Sequence, residues 1–113
     1  MPIKISANKI KDLCNIALDD LKAVNINSFD VEKTSSFASY ILVATGTSNR
    51  HINAISQSVH KMLKSLNITL PSIEGNQDSG WIVIDSGDVI IHLFKDEIRK
   101  FYNLENMWSA EIE

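Results

Sequence analysis

The chain predicts an α/β fold, one domain over residues 1–113 with a mixed β-sheet flanked by helices. Three observations predict it. Two long stretches carry apolar residues at three- and four-residue steps, as helices with one buried face do. Shorter stretches alternate, or run almost without polar interruption, as strands do. The order is helix, strand, strand, helix, strand, strand, helix, so the long second helix crosses between strands that lie parallel.

The first helix is expected over residues 6–24. Ile10, Leu13, Cys14, Ala17, Leu21 and Val24 share a face, and Ser6 supplies an N-cap. "NINSFDVEK" then sets Phe29, Val31 and Lys33 against Asp30 and Glu32, the pattern of a half-buried strand. After a short break at "SSF", "ASYILVATG" is a strand for the middle of the sheet, stopping at Gly46. "TSNRHINAISQSVHKMLKSLN" is the second helix. Ser48 caps it, Ile52, Ile55, Val59, Met62, Leu63 and Leu66 form its stripe, and Asn67 ends it. "PSIEGNQDSG" is expected to be a loop. "WIVID" and "DVIIHLF" are strands of a hairpin turning at Ser86-Gly87, "KDEIRKFY" is a short terminal helix, and "NLENMWSAEIE" is the tail.

Composition narrows the function classes. The 113 residues are 44% hydrophobic, enough for an ordinary core. One cysteine, Cys14, leaves no disulfide framework within the chain and fits a reducing compartment. No stretch approaches the roughly 20 apolar residues of a membrane helix, and the N-terminus lacks the apolar core of a signal peptide, so a cytoplasmic protein is expected. The net charge of −3 is unevenly spread. Residues 33–73 carry +4 and residues 74–113 carry −6. An acidic, aromatic-bearing end suits a basic partner protein, and it also suits a solvated surface.

Four places could carry chemistry. "ATGTSNRH" lies where a strand passes into a helix. There Thr45, Gly46, Ser48, Arg50 and His51 form a candidate anion site at a helix N-terminus. A glycine and a serine are also what any such turn uses, and neither GxGxxG nor GxxxxGK[ST] is present. Asp85 and Asp88 flank Ser86-Gly87. Metal-dependent phosphoryl transfer wants converging carboxylates, but acids at i and i+3 across a turn read as turn residues. His51, His60 and His92 are scattered and match no zinc or nucleophile spacing, so neither a catalytic centre nor a metal is expected. Last, the strand carrying Ile90, His92 and Phe94 is followed by Phe101, Tyr102 and Trp108, where core packing and a partner interface are both open readings. Lys61 and Lys64 could touch phosphate but read as a solvated helix face, so no direct sequence-specific nucleic-acid binding is expected.

Taken in order, several pieces resemble one family. They are "ATG" with Ser48 and His51 following, Glu74-Gly75, Gly80-Trp81, Asp85, "HLF" at 92–94, Arg99, "FY", and "LE" before Trp108. The series, from about Leu13 to Trp108, strongly resembles the ribosomal silencing factor, or Iojap-like, family. The resemblance implies a nucleotidyltransferase-like scaffold without that chemistry and without a cofactor. It implies binding to the large ribosomal subunit through large-subunit ribosomal protein fourteen, and a steric block to joining of the small subunit. Translation would then fall when nutrients are scarce. It also implies a bacterial cytoplasmic protein that is a homodimer when free. For partner binding it points to Trp81, His92, Phe94, Arg99, Tyr102 and Trp108, with core packing the alternative for Phe94 and Trp108. "EGNQDSG" departs from expectation in being polar for a partner-facing loop. The sequence leaves two rival readings open. One is a nucleotide-binding or nucleotidyltransferase-like enzyme using the Thr45–His51 loop; the other is a dimeric adaptor of a different complex.

Overall fold

The computed structural model describes residues 5–36, 38–68, 71–75 and 78–106. Five strands form one mixed sheet in the order β1-β2-β5-β4-β3. Helix α1 covers Ala7–Asp20, β1 Val24–Asp30, β2 Tyr40–Gly46 and α2 Asn49–Ser65. Strands β3, β4 and β5 cover Ser72–Glu74, Trp81–Asp85 and Val89–Lys95, and α3 covers Asp96–Tyr102. Among the described residues only β2 and β5 pair in parallel; the other three pairings are antiparallel. The crossover between the parallel strands contains α2, as expected, and the β3–β4 pair as well.

Both long helices begin where the sequence says. The Ser6 hydroxyl accepts from the Lys9 N–H and the Ser48 hydroxyl from the His51 N–H. Helix α1 ends at Asp20, earlier than its apolar period suggests. Lys22 takes a positive φ of 61°, and the Lys22 and Ala23 N–H groups bond back to the Asp19 and Leu18 carbonyls, closing the helix. Val24 therefore starts a strand. The β1 pairing slips between Val24 and Asn27, where Asn25 has a φ of 51°. The strand ends at Asp30 rather than Lys33. Asp30 accepts from the Glu32 N–H, and the Val31 carbonyl accepts from Thr34 and Ser35 in a turn.

The segment expected to be a loop contains a strand. Ile73 pairs with Ile84 and Glu74 with Val83. Three residues are too few to show alternation, and Pro71 at the entry suits an edge strand. The Asp85–Asp88 turn is a hairpin, as expected. Asp85 accepts from the Gly87 N–H at 2.8 Å, and Gly87 has a φ of 92°.

The sheet's two faces differ. On one, Leu42, Ala44, Ile82, Ile84, Ile91 and Leu93 pack against the buried stripes of α1 and α2. This is the main core. On the other, Ile41, Val43 and Phe94 are buried with Val31, while Phe29, Trp81, Ile90, Ile98 and Leu104 are partly covered. The one helix described on that face is α3, seven residues long and lying past the end of β5. Trp81, Val83, Ile90 and His92 are left half-buried.

Candidate partner-binding surface

The half-covered face is organised around Trp81. Its backbone is fixed at the start of β4 by Ser79, whose hydroxyl accepts from the Trp81 N–H and donates to its carbonyl. Gly80, at a φ of 76°, turns the chain in just before it; a Cβ there would stand 3.0 Å from Ile98. Trp81 lies opposite Phe94, and Val83 opposite His92. The indole therefore meets one residue directly and the other diagonally. Its ring centroid is 5.0 Å from Phe94, 5.0 Å from Tyr102 and 6.0 Å from His92. The His92 and Phe94 rings lie nearly parallel, 5.9 Å apart. The indole N–H donates to His92 Nδ1 at 3.1 Å.

That bond sets the state of His92. With Nδ1 accepting, the imidazole proton resides on Nε2. Burial pushes the His92 pKa down to about 4, so the ring is neutral at pH 7. His92 is thus a half-buried, neutral imidazole that accepts a hydrogen bond from the Trp81 indole.

Tyr102 is 50% exposed and its neighbour Phe101 79% exposed. Both sit on α3, held to the sheet by a polar clamp. Arg99 is buried. Its Nε and Nη2 donate to the two carboxylate oxygens of Glu105 at 2.6 and 2.9 Å, and Nη1 donates to Thr45 Oγ1 at 2.8 Å. Asn27 on β1 adds a donation to Glu105 at 2.8 Å. Such bidentate pairing fixes orientation as well as distance. The Arg99 hydrogen bonds, then the Asn27 bond, hold the Glu105 carboxyl below its usual pKa against the opposing pull of burial. The surface thus has two tiers: Trp81, Tyr102 and Phe101 reach solvent, while Phe94 and Arg99 lie beneath them. Trp108 lies outside the described residues.

The "ATGTSNRH" stretch uses most of its polar atoms internally, although Asn49 Oδ1 is buried with no hydrogen-bond partner among the described residues. Thr45 takes the Arg99 bond and Ser48 caps α2. His51 Nδ1 accepts from the Thr47 N–H at 2.9 Å, and Nε2 donates to the Leu21 carbonyl at 2.7 Å, stitching α2 to the end of α1. Arg50 is exposed. Gly46 is explained by packing, because a Cβ there would stand 2.5 Å from Ile52 Cγ1. Among the described residues, no group of three or more histidine, cysteine or carboxylate side chains could hold a metal. No described helix is long and apolar enough to cross a membrane.

Sequence reasoning missed the clamp. No local pattern singles out Glu105 or Asn27, and only the "LE" of the family series includes either of them. The Trp81–His92 bond was equally invisible, although the alternation that put His92 and Phe94 on one face was legible.

The family model described as "Ribosomal silencing factor during starvation" matches residues 4–113. The chain belongs to the ribosomal silencing factor family. A ribosomal silencing factor from Zymomonas mobilis is 40% identical over 93 residues, covering 82% of this chain and 70% of that protein. Two crystal structures share the fold of this family member. A Chromobacterium violaceum protein superposes with a TM-score of 0.89 at 32% identity, covering 93% of this chain and 88% of its own. A Bacillus halodurans protein does so at 0.80 and 30% identity, covering 89% and 94%. The mixed five-stranded sheet with its three helices is therefore the architecture of solved relatives.

Proposed function

We propose that this member of the ribosomal silencing factor family binds the large ribosomal subunit through large-subunit ribosomal protein fourteen and sterically prevents the small subunit from joining. Occupancy of one subunit shifts the joining equilibrium by mass action, needs no turnover or cofactor, and lowers translation when nutrients are scarce. The observation that carries this reading is the half-covered sheet face. Trp81 and Tyr102, two of the residue types that dominate interface hot spots, stand together at its rim, fixed from below by Phe94 and Arg99. A rigid aromatic pair presents large contact area at little entropic cost. Trp81 and Tyr102 are assigned as contacts, His92, Phe94 and Arg99 as their support, and Trp108 as a further contact of the tail. The −6 charge of residues 74–113 would complement a basic ribosomal protein and speed association. In this reading the chain works in the cytoplasm as one domain, is a homodimer when free, and is not an enzyme.

The test is co-sedimentation of the purified protein with separated large and small subunits, then with both together. Binding to the large subunit alone, with fewer joined ribosomes formed, is expected. Trp81→Ala should abolish that binding while leaving the circular dichroism spectrum unchanged. Equal binding to both subunits, or full binding by a folded Trp81→Ala protein, would refute the assignment.

A further inference from the structure

We propose that His92 is a positioning residue for the partner surface, acting through the hydrogen bond that its Nδ1 accepts from the Trp81 indole. This rests on the docking reading above and adds how the contact residue is held. Trp81 is the first residue of β4 and is only half-buried, so packing constrains its side chain from one side and a directional bond adds to that constraint. Phe94, directly opposite, offers a ring face at 5.0 Å but no acceptor. His92 lies diagonally across the strand pair and supplies one at 3.1 Å. The bond selects the rotamer that lies over Phe94 and meets Tyr102. His92 is itself held in place, with its ring nearly parallel to Phe94 and its backbone locked between β2 and β4 opposite Val43 and Val83. Burial keeps Nδ1 unprotonated and able to accept. The chemistry offered to the partner follows. The indole N–H is spent inside the protein, so Trp81 presents ring carbon to the partner and offers it no donor.

Two variants separate this role from simple packing. His92→Asn places an amide oxygen near the position of Nδ1 and keeps an acceptor. His92→Leu fills similar space without one. The first readout is the Trp81 indole N–H signal in the 1H–15N spectrum of the free protein, assigned with Trp81→Phe. It should be protected from solvent exchange in wild type and His92→Asn, and shifted and unprotected in His92→Leu. The second readout is large-subunit binding, which should weaken roughly tenfold in His92→Leu, the equivalent of one hydrogen bond, and stay within about threefold in His92→Asn. In a Trp81→Phe background His92→Leu should cause no further loss, because its effect runs through the indole. An indole signal that stays protected in His92→Leu, or an undiminished His92→Leu effect in the Trp81→Phe background, overturns the proposal. A released indole with unchanged binding overturns it too. Failure of the wild-type protein to bind the large subunit, with the indole signals behaving as expected, would instead defeat the docking reading and the functional role of the bond with it.

Discussion

Glu105→Gln tests whether α3, and with it Tyr102, is held by the clamp. Glu105 accepts from Arg99 Nε at 2.6 Å, Arg99 Nη2 at 2.9 Å and Asn27 Nδ2 at 2.8 Å. Glutamine keeps the volume and one oxygen but presents an NH2 group where every partner is a donor, so at least one bond becomes a donor–donor contact. Arg99 stays charged with its side chain only 9% exposed, while the Glu105 side chain is 21% exposed. Removing one partner of a fully buried pair costs about 3–5 kcal/mol, and an exposed pair contributes about 0–1. The partial exposure of Glu105 places the expected loss at about 2 kcal/mol. For a domain of this size that lowers Tm by roughly 10 °C. Thermal and urea unfolding at pH 7 measure it, and hydrogen exchange locates it in α3. The pH dependence follows from the depressed Glu105 pKa. The folded carboxylate binds its proton less tightly than the unfolded one, so its stabilisation is complete above the ordinary carboxylate range and is lost as pH falls through the depressed value. Wild type and Glu105→Gln should therefore converge in stability in strong acid. A second substitution, Arg99→Met, should return part of the loss by removing the stranded charge. A loss under about 0.5 kcal/mol would show that the clamp does not hold the helix, and a double variant weaker than Glu105→Gln alone would show that the Thr45 bond outweighs the stranded charge.

Two further outcomes are expected. Gly46→Ala should cost about 1–3 kcal/mol in urea unfolding, because its Cβ would meet Ile52 Cγ1 at 2.5 Å and the Ile52 backbone nitrogen at 3.2 Å; combined with Ile52→Ala, the total should fall short of the sum of the two. His92 should make the fold acid-sensitive. Its folded pKa of about 4 lies below the ordinary histidine value, so the unfolded chain binds the extra proton first, and wild type should lose about 3 kcal/mol between pH 6.5 and 4 that His92→Asn does not lose.

The sequence by itself determined what lies within one element. The serine caps of both long helices, the buried stripe of α2, the apolar run of β2 and the tight turn at Ser86-Gly87 were legible. Periodicity and capping are local, and each was written within a few adjacent residues. The ordered motif series carried the family. Tertiary structure decided what depends on which elements become neighbours. Strand β3 exists because β4 offers it an edge, since three residues carry no period of their own. Lys22 closes α1 against an apolar pattern that runs on to Val24. At the candidate site, the sequence put His92 and Phe94 on one face, but the strand register alone brings Trp81 within reach of His92. Arg99, chosen from the sequence for partner binding, turns inward, because the strand order sets Thr45 beside it from 54 positions away and Asn27 beside its partner Glu105 from 78. A hydrogen bond needs its two atoms within about 3 Å, and for residues so far apart along the chain only the assembled sheet sets that distance.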